Sequence, residues 1–196
     1  MHKFHIITAA AAAFIACVPA RAAEEKRELG AHEHGHGRLN IAVEGKRVTM
    51  ELEAPGADIA GFEHEASTSE QKAVVERAKA TLADGLSIFK LPVAAGCKLA
   101  DAKVATHTEE EDEHGADKSK SEAAGKEKGE EEHHSEFRAA YVIDCAAPEK
   151  LTGIDFGYFE VFPGARELDI NLVTPKGQYH YEVTRDQPRL QFGEVG

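Results

Sequence analysis

The chain has 196 residues, enough for one domain of ordinary size with appendages. Its 35 acidic side chains outnumber 23 Lys and Arg, the formal net charge is −12, and Trp is absent. Phosphates and anionic membrane surfaces would be repelled, so nucleic acid is excluded as a partner, whereas 11 histidines, many beside Glu or Asp, point to cations.

Residues 1–22 read as a signal peptide. Lys3, flanked by His2 and His5, precedes an apolar run from Ile6 to Val18 that is too short to be a permanent span. Ala20-Arg21-Ala22 then offers the small-x-small pattern of a cleavage site. Removal of Lys3 and Arg21 with it takes the net charge from −12 to −14. The stretch Phe14-Ile15-Ala16-Cys17 is close to a lipoprotein box, so acylation at Cys17 is the alternative to free export. No later stretch is long and apolar enough to cross a membrane. Export leaves Cys97 and Cys145 as one even pair in an oxidising compartment, for which a disulfide is the default.

The mature chain, 23–196, reads as a single domain. Leu39, Ile41 and Val43 alternate, as do Val48, Met50 and Leu52, and Gly45-Lys46 between them suits a two-residue hairpin turn. Pairing about that turn sets Val43 against Val48, Ile41 against Met50 and Leu39 against Leu52, all on one face. Residues 54–66, holding Pro55, Gly56 and Gly61, are expected to form a loop. A helix follows, opened by capping-box residues among Ser67 to Gln71, striped by Val74, Ala78 and Leu82, and stopped at Asp84-Gly85. Leu86 to Leu91 makes a short apolar connection into Pro92.

Two strand-like runs, Lys98 to Thr106 and Glu136 to Asp144, flank an acidic insert at about 107–135 with no apolar residue larger than Ala. Such a segment buries too little surface to offset its ordering entropy and is expected to be disordered without a ligand. Antiparallel pairing of the flanks about the insert's midpoint places Cys97 opposite Cys145, so the disulfide would clamp the base of a long hairpin. Ile154 to Phe162 reads as another apolar strand ended by Pro163-Gly164. Leu168, Ile170 and Leu172 alternate into the turn Thr174-Pro175-Lys176-Gly177, and Tyr179, Tyr181 and Val183 alternate back. The expected fold is α+β: a mainly antiparallel β-sheet, one covering helix and a disordered His- and acid-rich insert.

Three histidine groups carry the chemistry. His32-Glu33-His34-Gly35-His36 puts three imidazoles on one side of an extended chain, with a carboxylate nearby, and glycines that let the backbone wrap. Such a set suits tetrahedral Zn²⁺. Glu63-His64 forms the second group, and the hairpin register brings its loop to the end of the sheet from which residues 32–36 emerge. The third is the insert, with His107, His114, His133 and His134 among carboxylates that raise the local cation concentration, while imidazoles favour borderline metals over Ca²⁺ or Mg²⁺. His180, opposite Asn171 with Asp169 and Glu182 near it, reads mainly as part of a solvated sheet face.

The stretch from His32 to Gly37 with Leu39-Asn40-Ile41 and Glu44-Gly45, then Ala54 to Asp58 and Gly61-Phe62-Glu63-His64-Glu65, resembles the ZrgA-like family of periplasmic zinc-binding proteins. Later landmarks agree: Phe89 to Pro92 before Cys97, the insert, Tyr141 to Cys145, Phe156 to Pro163, and Thr174 to Gly177. The resemblance implies zinc binding in the periplasm in support of import by a zinc ABC transporter.

The leading expectation is therefore a periplasmic, non-enzymatic protein that takes Zn²⁺ as cargo, with a loose capture insert and a better-ordered histidine site. Copper or nickel handling is the nearest alternative, since Cu²⁺ outranks Zn²⁺ in raw affinity, although there is neither a Met-rich tract nor a His at the third mature position. A zinc hydrolase needs a rigid open site and a placed base; Glu33 and Glu63 are the only candidates and sit in Gly-flanked loops. A structural or interaction module with incidental histidines is the remaining reading.

Overall fold

The computed structural model describes residues 34–108 and 134–193. Strands β1 (His36–Glu44) and β2 (Arg47–Pro55) form the expected hairpin, with Leu39 opposite Leu52, Ile41 opposite Met50 and Val43 opposite Val48. Gly45 supplies the positive φ of +58° that the turn requires. Strands β4 (Cys97–Thr108) and β5 (Ser135–Cys145) pair antiparallel with Cys97 opposite Cys145, and those cysteines are disulfide-bonded. A bulge between Leu99 and Asp101 shifts the later pairs by one residue. Strands β7 (Glu167–Thr174) and β8 (Gly177–Thr184) pair in the expected register, Leu172 against Tyr179 and Leu168 against Val183.

Tertiary structure joins these three hairpins into one six-stranded sheet in the order β4-β5-β2-β1-β7-β8. All neighbours are antiparallel except β1 and β7, which run parallel with His36 beside Glu167. One face of the sheet is apolar and buried: Leu39, Met50, Leu52, Phe137, Tyr141, Leu168 and Ile170 are each at most 1% exposed. Helix α2 (Ser69–Ala83) covers this face through Ala78 and Leu82, and Tyr141 donates a 2.9 Å hydrogen bond to the Leu82 carbonyl. The helix starts at a capping box: Thr68 Oγ1 accepts from Gln71 N at 3.2 Å while the Gln71 side chain accepts from Thr68 N.

Three expectations need correction. Residues 54–66 are not all loop, because β2 runs to Pro55 and a short helix α1 (Gly56–Ala60) follows. The Pro-Gly pair enters that helix rather than turning the chain, Ile59 is buried, and Gly61, at φ +85°, terminates it. Ile154 to Phe162 is not one strand: β6 (Gly153–Phe156) breaks at Gly157 into helix α4 (Tyr158–Val161). A run this rich in apolar residues has no clear period by which strand can be told from helix. The third correction concerns the insert's edges. The hairpin β4-β5 extends past Thr106 and Glu136 to Thr108 and Ser135, which places His107 on a strand; the expectation of disorder falls on residues 109–133, outside the described residues.

The apolar connection Leu86 to Leu91 contains a single helical turn, α3 (Gly85–Ile88), and a short strand, β3 (Phe89–Lys90). With β6 and β9 (Arg189–Gln191) this strand makes a small second sheet in the order β3-β6-β9. Its Phe89 and Phe156 join Tyr158, and Phe89 meets Tyr141 of the large sheet edge-on, with centroids 5.9 Å apart. Non-local register thus welds the two layers into one core.

The pairing register also sets one end of the large sheet apart. His36 beside Glu167, Pro55 opposite Glu136, and Thr108 opposite Ser135 all lie there. The disulfide lies at the far end of the hairpin β4-β5, closing a loop of sequence separation 48 that contains the insert. In the chain-entropy account such closure is worth on the order of 4 kcal/mol. Replacing both cysteines by serine should therefore lower the urea midpoint by the equivalent of roughly 2–4 kcal/mol; an unchanged midpoint would show that the crosslink does not constrain the unfolded chain.

Candidate metal centre

Glu63 lies at the distinctive sheet end, in the loop between α1 and α2. Its position is set by backbone as well as side chain, since Ser135 N donates to the Glu63 carbonyl at 2.7 Å. The carboxylate accepts from two imidazoles at once: His34 Nε2 lies 2.7 Å from Oε1, and His134 Nδ1 lies 2.8 Å from Oε2. One histidine belongs to the N-terminal His-rich stretch and the other to the end of the insert. Two segments 100 residues apart in the chain thus meet on one side chain.

The electrostatics follow from this arrangement. Burial by itself would raise the Glu63 carboxyl, but the hydrogen bonds from His34 and His134 and their charge outweigh it and hold it below its ordinary range. The proton in each bridge sits on the nitrogen that faces the carboxylate. A metal ion bound at those nitrogens would displace both protons. Two ligand atoms of tetrahedral Zn²⁺ stand about 3.3 Å apart, given bonds of about 2.0–2.1 Å, so the contacts of 2.7 and 2.8 Å describe a proton-bridged arrangement. Among the described residues no three His, Cys, Asp or Glu side chains are gathered as a ready-made metal cage. The donors nevertheless match zinc chemistry: two imidazole nitrogens around one carboxylate.

The other expected site residues distribute as follows. His36, the first residue of β1, turns to Glu167, with Nδ1 3.3 Å from Oε1. His64 stacks on Phe62 with centroids 4.9 Å apart, donates through Nδ1 to the Glu65 carbonyl at 3.0 Å and accepts at Nε2 from the Gln71 amide at 3.3 Å. It therefore faces the cap of α2, while its neighbour Glu63 faces His34 and His134. His107 is exposed on β4 opposite Glu136, at the same sheet end. His32, Glu33, His114 and His133 lie outside the described residues. His180 is on the open sheet face, with Nδ1 3.2 Å from Asn171 Oδ1 and Nε2 3.7 Å from Asp169 Oδ1.

A model of the ZrgA family, described as zinc uptake proteins, matches residues 31–192. The chain belongs to this family. Comparison with curated proteins gives no match. The ZrgA match takes in both partners of Glu63 and both cysteines, so the chain's place is among proteins of zinc uptake. Among the described residues no helix is long and apolar enough to cross a membrane.

Two acidic residues at this end escaped the reading of the sequence. Asp58 on α1 is 3% exposed and accepts from Gly35 N at 2.8 Å. Burial raises its carboxyl, and the Gly35 hydrogen bond and the His34 charge offset this only in part. Glu167 partners His36 only because β7 lies parallel to β1. The lone signal for Asp58 was an acid in an otherwise apolar stretch, which a loop assignment explains away.

The shift of Glu63 has a definite sign. Its folded value is depressed, so the stability it contributes is complete above the ordinary carboxylate range and is lost as pH falls through the lowered value. Carbon-detected NMR titration of the metal-free protein should find Glu63 titrating below the ordinary glutamate range, and His34→Ala should move it back up. A Glu63 that titrates in the ordinary range would contradict the double bridge.

Proposed function

We propose that this ZrgA family member binds Zn²⁺ as cargo in the periplasm and passes it toward a zinc importer, and that Glu63 with His34 and His134 forms the core of its folded site. One observation carries the reading: the two histidine-bearing segments converge on the two oxygens of a single carboxylate. Capture through the insert and retention at the sheet end then follow as successive stages. Carboxylates of the insert attract the cation, and its exit residue, His134, is already part of the folded site. Membership in a zinc uptake family supports the cargo assignment, and the apolar N-terminal segment with its small-x-small site supports export.

The chemistry of loading is an exchange of protons for metal. Zn²⁺ enters as His34 Nε2 and His134 Nδ1 release their protons, with the Glu63 carboxylate contributing an oxygen. Further donors come from the same two segments. Loading must then weaken with acid, because a ligating imidazole has to give up its proton and acid opposes that loss. Easy reversal by protonation suits a protein that gives its cargo up.

Calorimetric titration with Zn²⁺ should give clearly tighter binding at pH 7.5 than at pH 5. Removal of residues 109–133 should lower the stoichiometry and leave the tightest site in place. The double substitution His34→Ala and Glu63→Ala should weaken that site by at least roughly a hundredfold, the usual cost of losing metal ligands being no smaller than that of losing their supports. Equal affinity at both pH values, or an unaltered tight site in the double variant, would sink the assignment.

A further inference from the structure

The geometry points to Asp58 as the positioning residue of the zinc site: its buried carboxylate holds the Gly35 turn from beneath, and thereby sets His34 against Glu63. This rests on the zinc-binding reading of the Glu63 centre and adds to it a residue that touches no metal.

Gly35 stands between His34 and His36 and is gripped on both sides of its backbone. Its N–H donates to Asp58 Oδ1 at 2.8 Å, and its carbonyl accepts from Arg166 N at 2.8 Å and Glu167 N at 2.9 Å. The residue has φ +91°, a conformation that favours glycine, and a Cβ there would come within 3.0 Å of the Arg166 side chain. These constraints fix where the chain leaves β1, and with it the direction in which His34 projects. Of the three hydrogen bonds, two come from backbone that any sequence would provide. Asp58 supplies the only one made by a side chain.

The cost of placing a carboxyl there argues that it serves the turn rather than general stability. Asp58 is 3% exposed, and its Oδ2 has no hydrogen-bond partner among the described residues. An acid with one oxygen unpaired in the interior is an expensive way to fill space. Its backbone is closely packed as well, since a Cβ on Gly164 would approach the Asp58 Cα to 2.6 Å. The residue is thus anchored where its Oδ1 meets the Gly35 N–H. It acts as an outer support of a metal ligand, the kind of group whose loss weakens binding without removing a donor atom.

The test uses the full mature chain and Zn²⁺ alone. Asp58→Ala should weaken the tight site by roughly tenfold or more, as loss of one charge-assisted hydrogen bond predicts, and should change the visible spectrum of the Co²⁺-loaded protein. Asp58→Asn keeps an acceptor for Gly35 N–H and should restore affinity and spectrum. A folded Asp58→Ala protein with wild-type zinc affinity overturns the proposal, as does an Asn variant no better than Ala. Should Asp58→Ala fail to fold, Gly35→Ala leaves the Asp58 side chain in place and should weaken binding in the same way; full affinity in that variant also overturns it. If the wild-type chain takes up no zinc, the cargo reading fails by itself. Positioning is then judged in the metal-free protein, where Asp58→Asn should preserve, and Asp58→Ala or Gly35→Ala abolish, the His34 contact to Glu63 seen by NMR; a contact indifferent to these changes overturns it.

Discussion

A carboxylate shared by two imidazoles from distant parts of the chain is the interaction on which the site depends. Neither His34 nor His134 has a strong reason to be ordered by its own segment, since a glycine follows the first and acidic, polar residues precede the second. Glu63 provides that reason. Its loop is pinned by the Ser135 amide, so the side chain meets both histidines from a fixed base. Under the proposed function, the bridging protons occupy the nitrogens that zinc would take on loading.

The scaffold supplies this fixed base through strand register. Parallel pairing of β1 with β7 brings Glu167 to His36, and the antiparallel pairing of β2 with β5 brings Ser135 and His134 toward the end of β2. The buried face of the sheet, covered by α2 and the small second sheet, keeps these ends from shifting relative to one another. A one-residue slip in either pairing would turn every apolar side chain outward. The same hydrophobic pattern that makes the core therefore also fixes the site.

Much of the fold was legible from alternation alone. The β1-β2 and β7-β8 registers follow from matching apolar faces across short turns, because a two-residue period and a turn of known length leave one solution. Helix α2 was marked by its capping box. Where apolar residues crowd together without a clear period, as from Ile154 to Phe162, the pattern does not separate strand from helix, and the switch from β6 to α4 stayed hidden. At 54–66 the Pro and Gly signals were real but belonged to the two ends of a short helix. His64 shows the same limit at the site: adjacent to Glu63 in sequence, it turns to Gln71 while Glu63 turns to His34 and His134.

Composition, charge and the spacing of His, Glu and Cys determined that this is an acidic, histidine-bearing α+β protein, and they named the residues from which the proposed metal site is drawn. Only the tertiary structure decided which of them meet. Pairing between distant strands and the packing that buries Asp58 depend on the whole core, and no local window of sequence contains the energy of that core. Local pattern names the candidates; long-range packing brings Glu63, His34 and His134 together from among them and sets Asp58, named in the sequence only as part of a family landmark, beneath.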